Sequence, residues 1–137
     1  MTHAAPPRRS ALLFIDSLKL GGAERVTLQW AEWLSEAGWS VTLLTSKPAS
    51  HDFYPVPVGL RRLQEPALQG WLDRALFWPL KLWRLRKLLQ REQPDLLIGM
   101  TTLPSIKLAL AAIGLSSRLV ISERNYPPAR PLAWRWR

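Results

Sequence analysis

Short apolar runs alternate with longer amphipathic segments along this chain. The pattern predicts strands at Ala11–Ile15, Ser40–Thr45, Leu60–Gln64, 94–100 and Arg118–Ser122, because each run is apolar or β-branched and has the length of a strand. It predicts helices at 23–37, 70–93 with an interruption at Pro79, and 104–113. Gly38 and Gly114 follow two of these helices, at the position that glycine favours after a helix.

Strands that are apolar throughout, rather than alternating apolar and polar, are typical of a parallel sheet with both faces covered. Strand and helix alternate along the sequence, which favours an α/β fold with right-handed crossovers. We therefore expect a doubly wound, Rossmann-like parallel sheet. The 137 residues suffice for one such domain.

The composition limits the kinds of site and partner that this chain can have. The chain has no cysteine, so disulfides and thiolate metal sites are excluded, and a reducing compartment such as the cytoplasm fits. His3 and His51 are too isolated to indicate a metal site, and the sequence assigns no catalytic base. The formal charge of +9 suits an anionic partner. No nucleic-acid-binding motif accompanies that charge, so we expect no nucleic-acid partner.

Gly21 and Gly22 follow the first predicted strand and open the first predicted helix. In a doubly wound sheet, ligands bind beyond the carboxyl ends of the strands. Free N–H groups at a helix start favour an anion such as phosphate. One interpretation is therefore a diphosphate against Gly21, Gly22 and Ala23, and the other is a tight turn that needs no ligand. The dinucleotide fingerprint GxGxxG is absent, so we expect no NAD cofactor.

Four segments carry a family resemblance. "GGAERV" (21–26), "LQWAEWLSEAGWSVTLLT" (28–45), "PDLLIG" (94–99) and "VISERNYP" (120–127) resemble the N-terminal half of family 4 glycosyltransferases, which are retaining enzymes with the GT-B fold. The resemblance implies an acceptor-side domain at residues 11–128, preceded by a flexible leader at 1–10. Residues 129–137 would be a tail rich in proline, arginine and tryptophan that ends part-way through the family's first domain.

The resemblance implies a cleft shared with a second domain, which would bind the nucleotide-sugar donor and is missing from this sequence. The chain alone would then be inactive, and it needs no other cofactor. The glycine loop of Gly21, Gly22 and Ala23 would face the donor diphosphate. The residues expected to contact acceptor or phosphate in the same cleft are Glu24, Arg25, Thr101, Ser122, Glu123, Arg124 and Asn125.

The segment 70–93 mixes basic residues with tryptophans, which favours a helix on an anionic membrane surface. An ordinary crossover helix with a solvated basic face would have the same pattern, and the sequence leaves both open. The membrane interpretation assigns the surface to Arg74, Trp78, Lys81, Trp83, Arg84 and Lys87.

Glycosyltransferases that this chain resembles often use glycan or polyprenyl-linked acceptors in cell-surface polysaccharide synthesis, at the inner face of the cytoplasmic membrane. That setting is the expectation here. The alternative is a non-enzymatic domain that docks on a membrane or on a partner, or a truncated product. Trp134 and Trp136 in the tail fit either possibility.

Overall fold

The computed structural model describes residues 8–66, 71 and 77–124. Its strands are β1 (Ser10–Ile15), β2 (Ser40–Thr45), β3 (Arg61–Gln64), β4 (Leu96–Met100) and β5 (Arg118–Ser122). Its helices are α1 (Gly22–Glu36), α2 (Phe77–Glu92) and α3 (Thr102–Ala111), and a short 3-10 helix spans Ala49–His51. The proposed leader, apart from residues 8–10, and the tail at 129–137 lie outside the described residues.

The five strands form one sheet in the order β3-β2-β1-β4-β5, and every neighbouring pair is parallel. This is the doubly wound, Rossmann-like sheet predicted from the apolar runs. The chain leaves β1 toward β2 on one side and leaves β4 toward β5 on the other. The carboxyl ends of β1 and β4 therefore flank the point where the winding reverses, which is where this fold leaves a crevice.

The core has two layers because β1 alternates its side chains between the two faces of the sheet. On one face, Leu13 and Ile15 pack in a buried cluster that includes Leu28 and Ala31 of α1. On the other face, residues of β1 pack against apolar residues of α2 and α3. The buried members of this second cluster are Leu12, Phe14, Leu44, Leu85, Leu88, Leu89, Leu97, Leu108 and Ala111.

Element boundaries differ from the prediction at a few points. Pro79 lies inside α2 and does not interrupt it there. α3 begins at Thr102, before Pro104, so proline occupies the first turn. Gly38 and Gly114 have positive φ angles of 90° and 78°, which explains why glycine ends each of these helical segments.

A buried ion pair ties α3 to the loops after β2 and β3. The Lys107 ammonium donates to the Glu65 carboxylate at 2.8 Å, and the two side chains are 5% and 3% exposed. The Ser46 hydroxyl donates to the same Glu65 oxygen at 2.9 Å. Lys107 also lies 5.4 Å from the centre of the Phe14 ring. One charge network thus joins α3 to the loops that follow β2 and β3, at the carboxyl ends of these two strands.

We predict that Lys107→Ala lowers the free energy of unfolding by roughly 3–5 kcal/mol, because it leaves the Glu65 charge buried without its cation. The double variant Lys107→Met with Glu65→Leu should recover most of the loss, since both charges leave together. Urea denaturation measures both. The matched control is Arg61→Ala, which breaks a pair with Glu92 in which Arg61 is 55% exposed, and should cost about 1 kcal/mol or less. A loss for Lys107→Ala no larger than that of the control would contradict the prediction.

Candidate functional site

A cleft of about 680 Å³ opens at the carboxyl ends of β1, β4 and β5. Its wall is formed mainly by the loop that joins β1 to α1 and by the first residues of α1, and Thr101 and Arg124 enter from the segments that follow β4 and β5. The residues that line it are Ile15, Asp16, Ser17, Lys19, Leu20, Gly21, Gly22, Ala23, Glu24, Val26, Thr101 and Arg124. The cleft therefore lies where the winding of the sheet reverses, as expected for a ligand site of this fold.

The glycine pair is not required by the backbone. Gly21 is extended, with φ −178° and ψ 165°, and Gly22 is the first residue of α1. A Cβ atom at Gly22 would meet nothing within 4 Å. The three atoms nearest to a Cβ at Gly21 all belong to the carboxylate of Glu24, which is the far end of a flexible side chain. Glycine at these positions therefore leaves the helix start open toward the cleft, and the tight-turn interpretation loses its physical reason.

Hydrogen bonds to neighbouring segments hold the loop between β1 and α1 in place. Leu18 is fully buried, and its carbonyl accepts hydrogen bonds from the N–H groups of Phe53 and Tyr54 at 2.8 and 3.3 Å. The Tyr54 hydroxyl donates to the Gly21 carbonyl at 3.4 Å. On the sheet side, the Asp16 carbonyl accepts from the N–H groups that follow β2. The loop is thus fixed at both ends before any ligand arrives, which lowers the cost of binding.

The far wall of the cleft is built by α3 and the end of β5. Thr101 has a positive φ of 69°, an unusual backbone angle for a residue other than glycine. Its N–H donates to the Ser122 carbonyl at 2.9 Å, and its carbonyl accepts from the Ser105 hydroxyl at 2.5 Å. The Thr102 hydroxyl donates to the Glu123 carboxylate. Ser122 and Glu123 therefore fasten β5 to α3 and do not themselves line the cleft.

Arg124 lies between the cleft and α1. It lines the cleft, and its guanidinium carbon lies 5.1 Å from the centre of the Trp30 ring. Stacking on an aromatic ring orients the planar guanidinium while its N–H groups stay available to an anion. Arg25, the other arginine predicted at this site, is exposed on α1 and is not among the cleft-lining residues. Asn125 lies outside the described residues.

Two charged residues of the cleft were missed by sequence reasoning. Asp16 and Lys19 both lie in the segment between β1 and the glycine pair, and both line the cleft. The signal was present, because polar residues directly after a buried strand occupy the binding edge of this fold. Among the described residues, no cluster of histidine, cysteine, aspartate or glutamate has the geometry to hold a metal ion.

The model of the glycosyl transferase 4-like domain family matches residues 21–137. The chain belongs to this family. No protein of curated function matches the sequence. The match includes the glycine pair, the start of α1 and all four polar residues of the "SERN" segment, so the cleft lies within the family region.

Several solved structures have a similar fold. The chain is similar to sucrose-phosphate synthase from Thermosynechococcus elongatus, with 18% identity over 86% of this chain and 33% of that one, at a TM-score of 0.60. It is similar to MurG of Acinetobacter baumannii, with 18% identity over 85% and 37%, at a TM-score of 0.58. HepE of Anabaena, solved in complex with UDP and glucose, gives 16% identity over 83% and 29%, at a TM-score of 0.55.

These likenesses show the fold, which is the Rossmann-like half of a GT-B structure. The chain spans about a third of the length of each of these three proteins.

The α2 helix of the domain has a packing face and an open face. Leu85, Leu88 and Leu89 are buried, as an ordinary crossover helix requires. Arg86 donates to the carbonyls of Ala111 and Ile113, so this arginine caps the end of α3. The crossover-helix interpretation thus holds for this face.

The open face carries part of the predicted membrane surface. Trp83 is 56% exposed, and the Lys87 ammonium lies 5.7 Å from the centre of its ring. Lys81, by contrast, is half-buried, and its ammonium lies 4.5 Å from the centre of the Phe77 ring. Burial, and then the positive charge of Lys107, lower the pKa of Lys81. Trp78 and Arg84 are half-buried, and Arg74 lies outside the described residues. Within the described part of the chain, no helix has the length and apolar character needed to cross a membrane.

The glycine geometry gives a stability prediction. Gly22→Ala should leave the melting temperature unchanged or slightly raised, because the added Cβ meets nothing and alanine favours a helix. Gly99→Ala is the matched comparison, since its Cβ would lie 2.7 Å from the Ser105 Cα of α3. That backbone contact forces β4 and α3 apart, at a cost of roughly 1–3 kcal/mol. Thermal unfolding followed by circular dichroism measures both variants. An equal loss in the two would show that Gly22 is required by the fold.

Proposed function

We propose that this chain is the acceptor-side domain of a glycosyltransferase that moves a sugar from a nucleotide-sugar to a glycan or lipid-linked acceptor. Family membership supports the reaction class. The observation that carries the assignment of the site is the glycine pair, which opens the start of α1 to the cleft although the backbone does not need glycine there. On this proposal residues 11–128 form the domain, and a donor-binding domain supplies the other wall.

The cleft offers suitable groups for a donor diphosphate. The N–H groups at the start of α1 point toward an anion placed against Gly22 and Ala23, and the helix dipole favours its charge. Arg124, oriented by Trp30, and Lys19 add positive charge to the same cleft. In transfer of a sugar, negative charge develops on the leaving diphosphate, so groups fixed in advance around it stabilise the transition state.

The same cleft carries two carboxylates, Asp16 and Glu24. Carboxylates accept hydrogen bonds from sugar hydroxyls, so they suit the sugar side of the ligand rather than the phosphate side. The nucleoside half of the donor needs its own pocket, which the proposal assigns to the other domain. We therefore expect this chain alone to bind a nucleoside diphosphate weakly and to transfer no sugar.

The test is binding of UDP to the isolated chain, measured as broadening of the ³¹P signals of the UDP diphosphate. We expect weak binding that Gly22→Val and Arg124→Ala each reduce roughly tenfold, because each removes a charge-assisted or backbone contact to phosphate. Arg118→Ala is the control, since Arg118 lies at the opposite end of the sheet and the net charge changes equally. Equal losses in all three variants would show that UDP binding depends on the overall charge of the chain and not on the cleft, and would contradict the proposed site. Micromolar binding by the wild-type chain would contradict the assignment of the nucleoside pocket to another domain.

A membrane contact is a second proposal, favoured by the exposed Trp83 and Lys87 on the open face of α2. Tryptophan suits the headgroup level of a bilayer, and lysines suit lipid phosphates. Such a contact would hold the domain at the inner face of the cytoplasmic membrane, near a lipid-linked acceptor of polysaccharide synthesis. It would serve equally a non-enzymatic domain that docks on a membrane.

We predict that the chain cosediments with vesicles containing phosphatidylglycerol and that raising the salt from 50 to 500 mM releases it. Trp83→Ala with Lys87→Ala should weaken binding several-fold, since one lysine contributes about 1 kcal/mol near an anionic surface. Trp33→Ala with Arg118→Ala removes one exposed tryptophan and one positive charge away from α2, and should leave binding unchanged. Absence of salt-sensitive binding to these vesicles would rule out the membrane proposal.

A further inference from the structure

The Glu24 side chain folds back over the residue that precedes α1. A Cβ atom built on Gly21 would overlap Oε2 of Glu24, and it would lie 2.9 Å from Cδ and 3.2 Å from Oε1 of the same carboxylate. The carboxylate therefore occupies the space that a side chain at position 21 would need. Any residue other than glycine at this position would require the carboxylate to move away.

The space that Glu24 fills is the capping position of α1. Gly21 is the residue before the helix, and it supplies no side-chain hydrogen bond to the first turn. In a capped helix, the side chain of this residue places an oxygen against the free N–H groups of that turn. The Glu24 carboxylate lies there instead, and the helix dipole favours its negative charge. It thus stands where the proposed function puts the donor diphosphate.

The carboxylate is not fastened in this position. Glu24 is half-buried and lines the cleft. Within the part of the chain that the structure describes, no hydrogen bond or ion pair holds its side chain. Lys19 and Arg124 line the same cleft without pairing with it. A carboxylate that is held mainly by the field of a helix can be displaced by an anion of higher charge, such as a diphosphate.

Displacement of Glu24 affects different ligands unequally. The displaced carboxylate remains on the first turn of α1, close to the bound diphosphate, and like charges repel. A free nucleoside diphosphate has a terminal phosphate with a second ionisation near neutral pH, so it carries the larger negative charge. A nucleotide-sugar lacks that ionisation, and its sugar hydroxyls can donate hydrogen bonds to the carboxylate. The repulsion therefore weakens binding of the free diphosphate more than binding of the sugar-bearing one.

We propose that the Glu24 carboxylate fills the anion position at the start of α1 when the cleft is empty, and that its displacement makes the cleft favour a nucleotide-sugar over the free nucleoside diphosphate. The role of Glu24 rests on the proposed function, since it concerns donor selection in the same cleft. Glu24 is then a specificity-determining residue, and its effect is the difference between the affinities for the two ligands.

The test compares UDP with UDP-glucose in titrations of the wild-type chain and of Glu24→Gln, which removes the charge and keeps the size of the side chain. We expect Glu24→Gln to bind UDP about two- to fivefold more tightly, because the helix start no longer holds a competing charge. Its affinity for UDP-glucose should rise less or fall. The control is Glu32→Gln, which removes an equal charge from an exposed position of α1 outside the cleft and should change neither affinity.

The outcomes separate the role of Glu24 from the proposed function. Equal or weaker binding of UDP by Glu24→Gln would overturn the role of Glu24 and leave the cleft as the binding site. An equal gain for UDP and UDP-glucose would also overturn it, because Glu24 would then repel phosphate without selecting the sugar. If neither the wild-type chain nor Glu24→Gln bound UDP, the proposed function would be contradicted, and donor selection by Glu24 with it.

A second measurement needs no ligand. Gly21→Ala should force the carboxylate out of its place, so we expect it to lower the urea midpoint of the wild-type chain. The same substitution in a Glu24→Ala chain should lower the midpoint less, because no carboxylate has to move. Equal losses in the two backgrounds would show that the carboxylate does not lie over Gly21, and would overturn the inference independently of any ligand.

Discussion

The fold depends on burying β1 on both faces at once. The strand is apolar from Ala11 to Ile15, and each of these side chains is at most 2% exposed. A strand buried in this way must have neighbours on both edges and layers on both faces, which β2 and β4 and the helices supply. The same constraint makes the chain wind first to one side of β1 and then to the other. The crevice at the reversal, and hence the cleft, is a consequence of that winding.

At the end of the sheet where the cleft lies, charged side chains are organised in two ways. Below the surface, Lys107 and Glu65 neutralise each other and fasten α3 to the loops of β2 and β3. At the surface, Lys19 and Arg124 line the cleft together with two carboxylates. The buried pair serves structure, since its members contact each other, whereas the exposed groups are placed where a ligand would meet them. The distinction separates charges that stabilise the fold from charges proposed to bind substrate.

The sequence was sufficient for the sheet, because apolar runs such as "ALLFI" and "RLVIS" have one physical solution in an α/β chain. It also located the loop of Gly21 and Gly22, because glycine before an amphipathic helix is a strong local signal. It was not sufficient for side-chain direction. Arg25 and Arg124 are equal as sequence signals, yet only Arg124 lines the cleft, with its guanidinium over the Trp30 ring of α1. The Lys107–Glu65 pair joins residues 42 positions apart, which no local pattern reveals.

The central claim is that the start of α1 faces the diphosphate of a sugar donor. The most direct measurement is a map of backbone amide shifts in the ¹⁵N-labelled chain as UDP is added. We predict that the amides of Gly21, Gly22 and Ala23 shift most, with smaller changes at Thr101 and Arg124. Shifts centred on α2 or on the opposite end of the sheet, with the glycine loop unchanged, would contradict it.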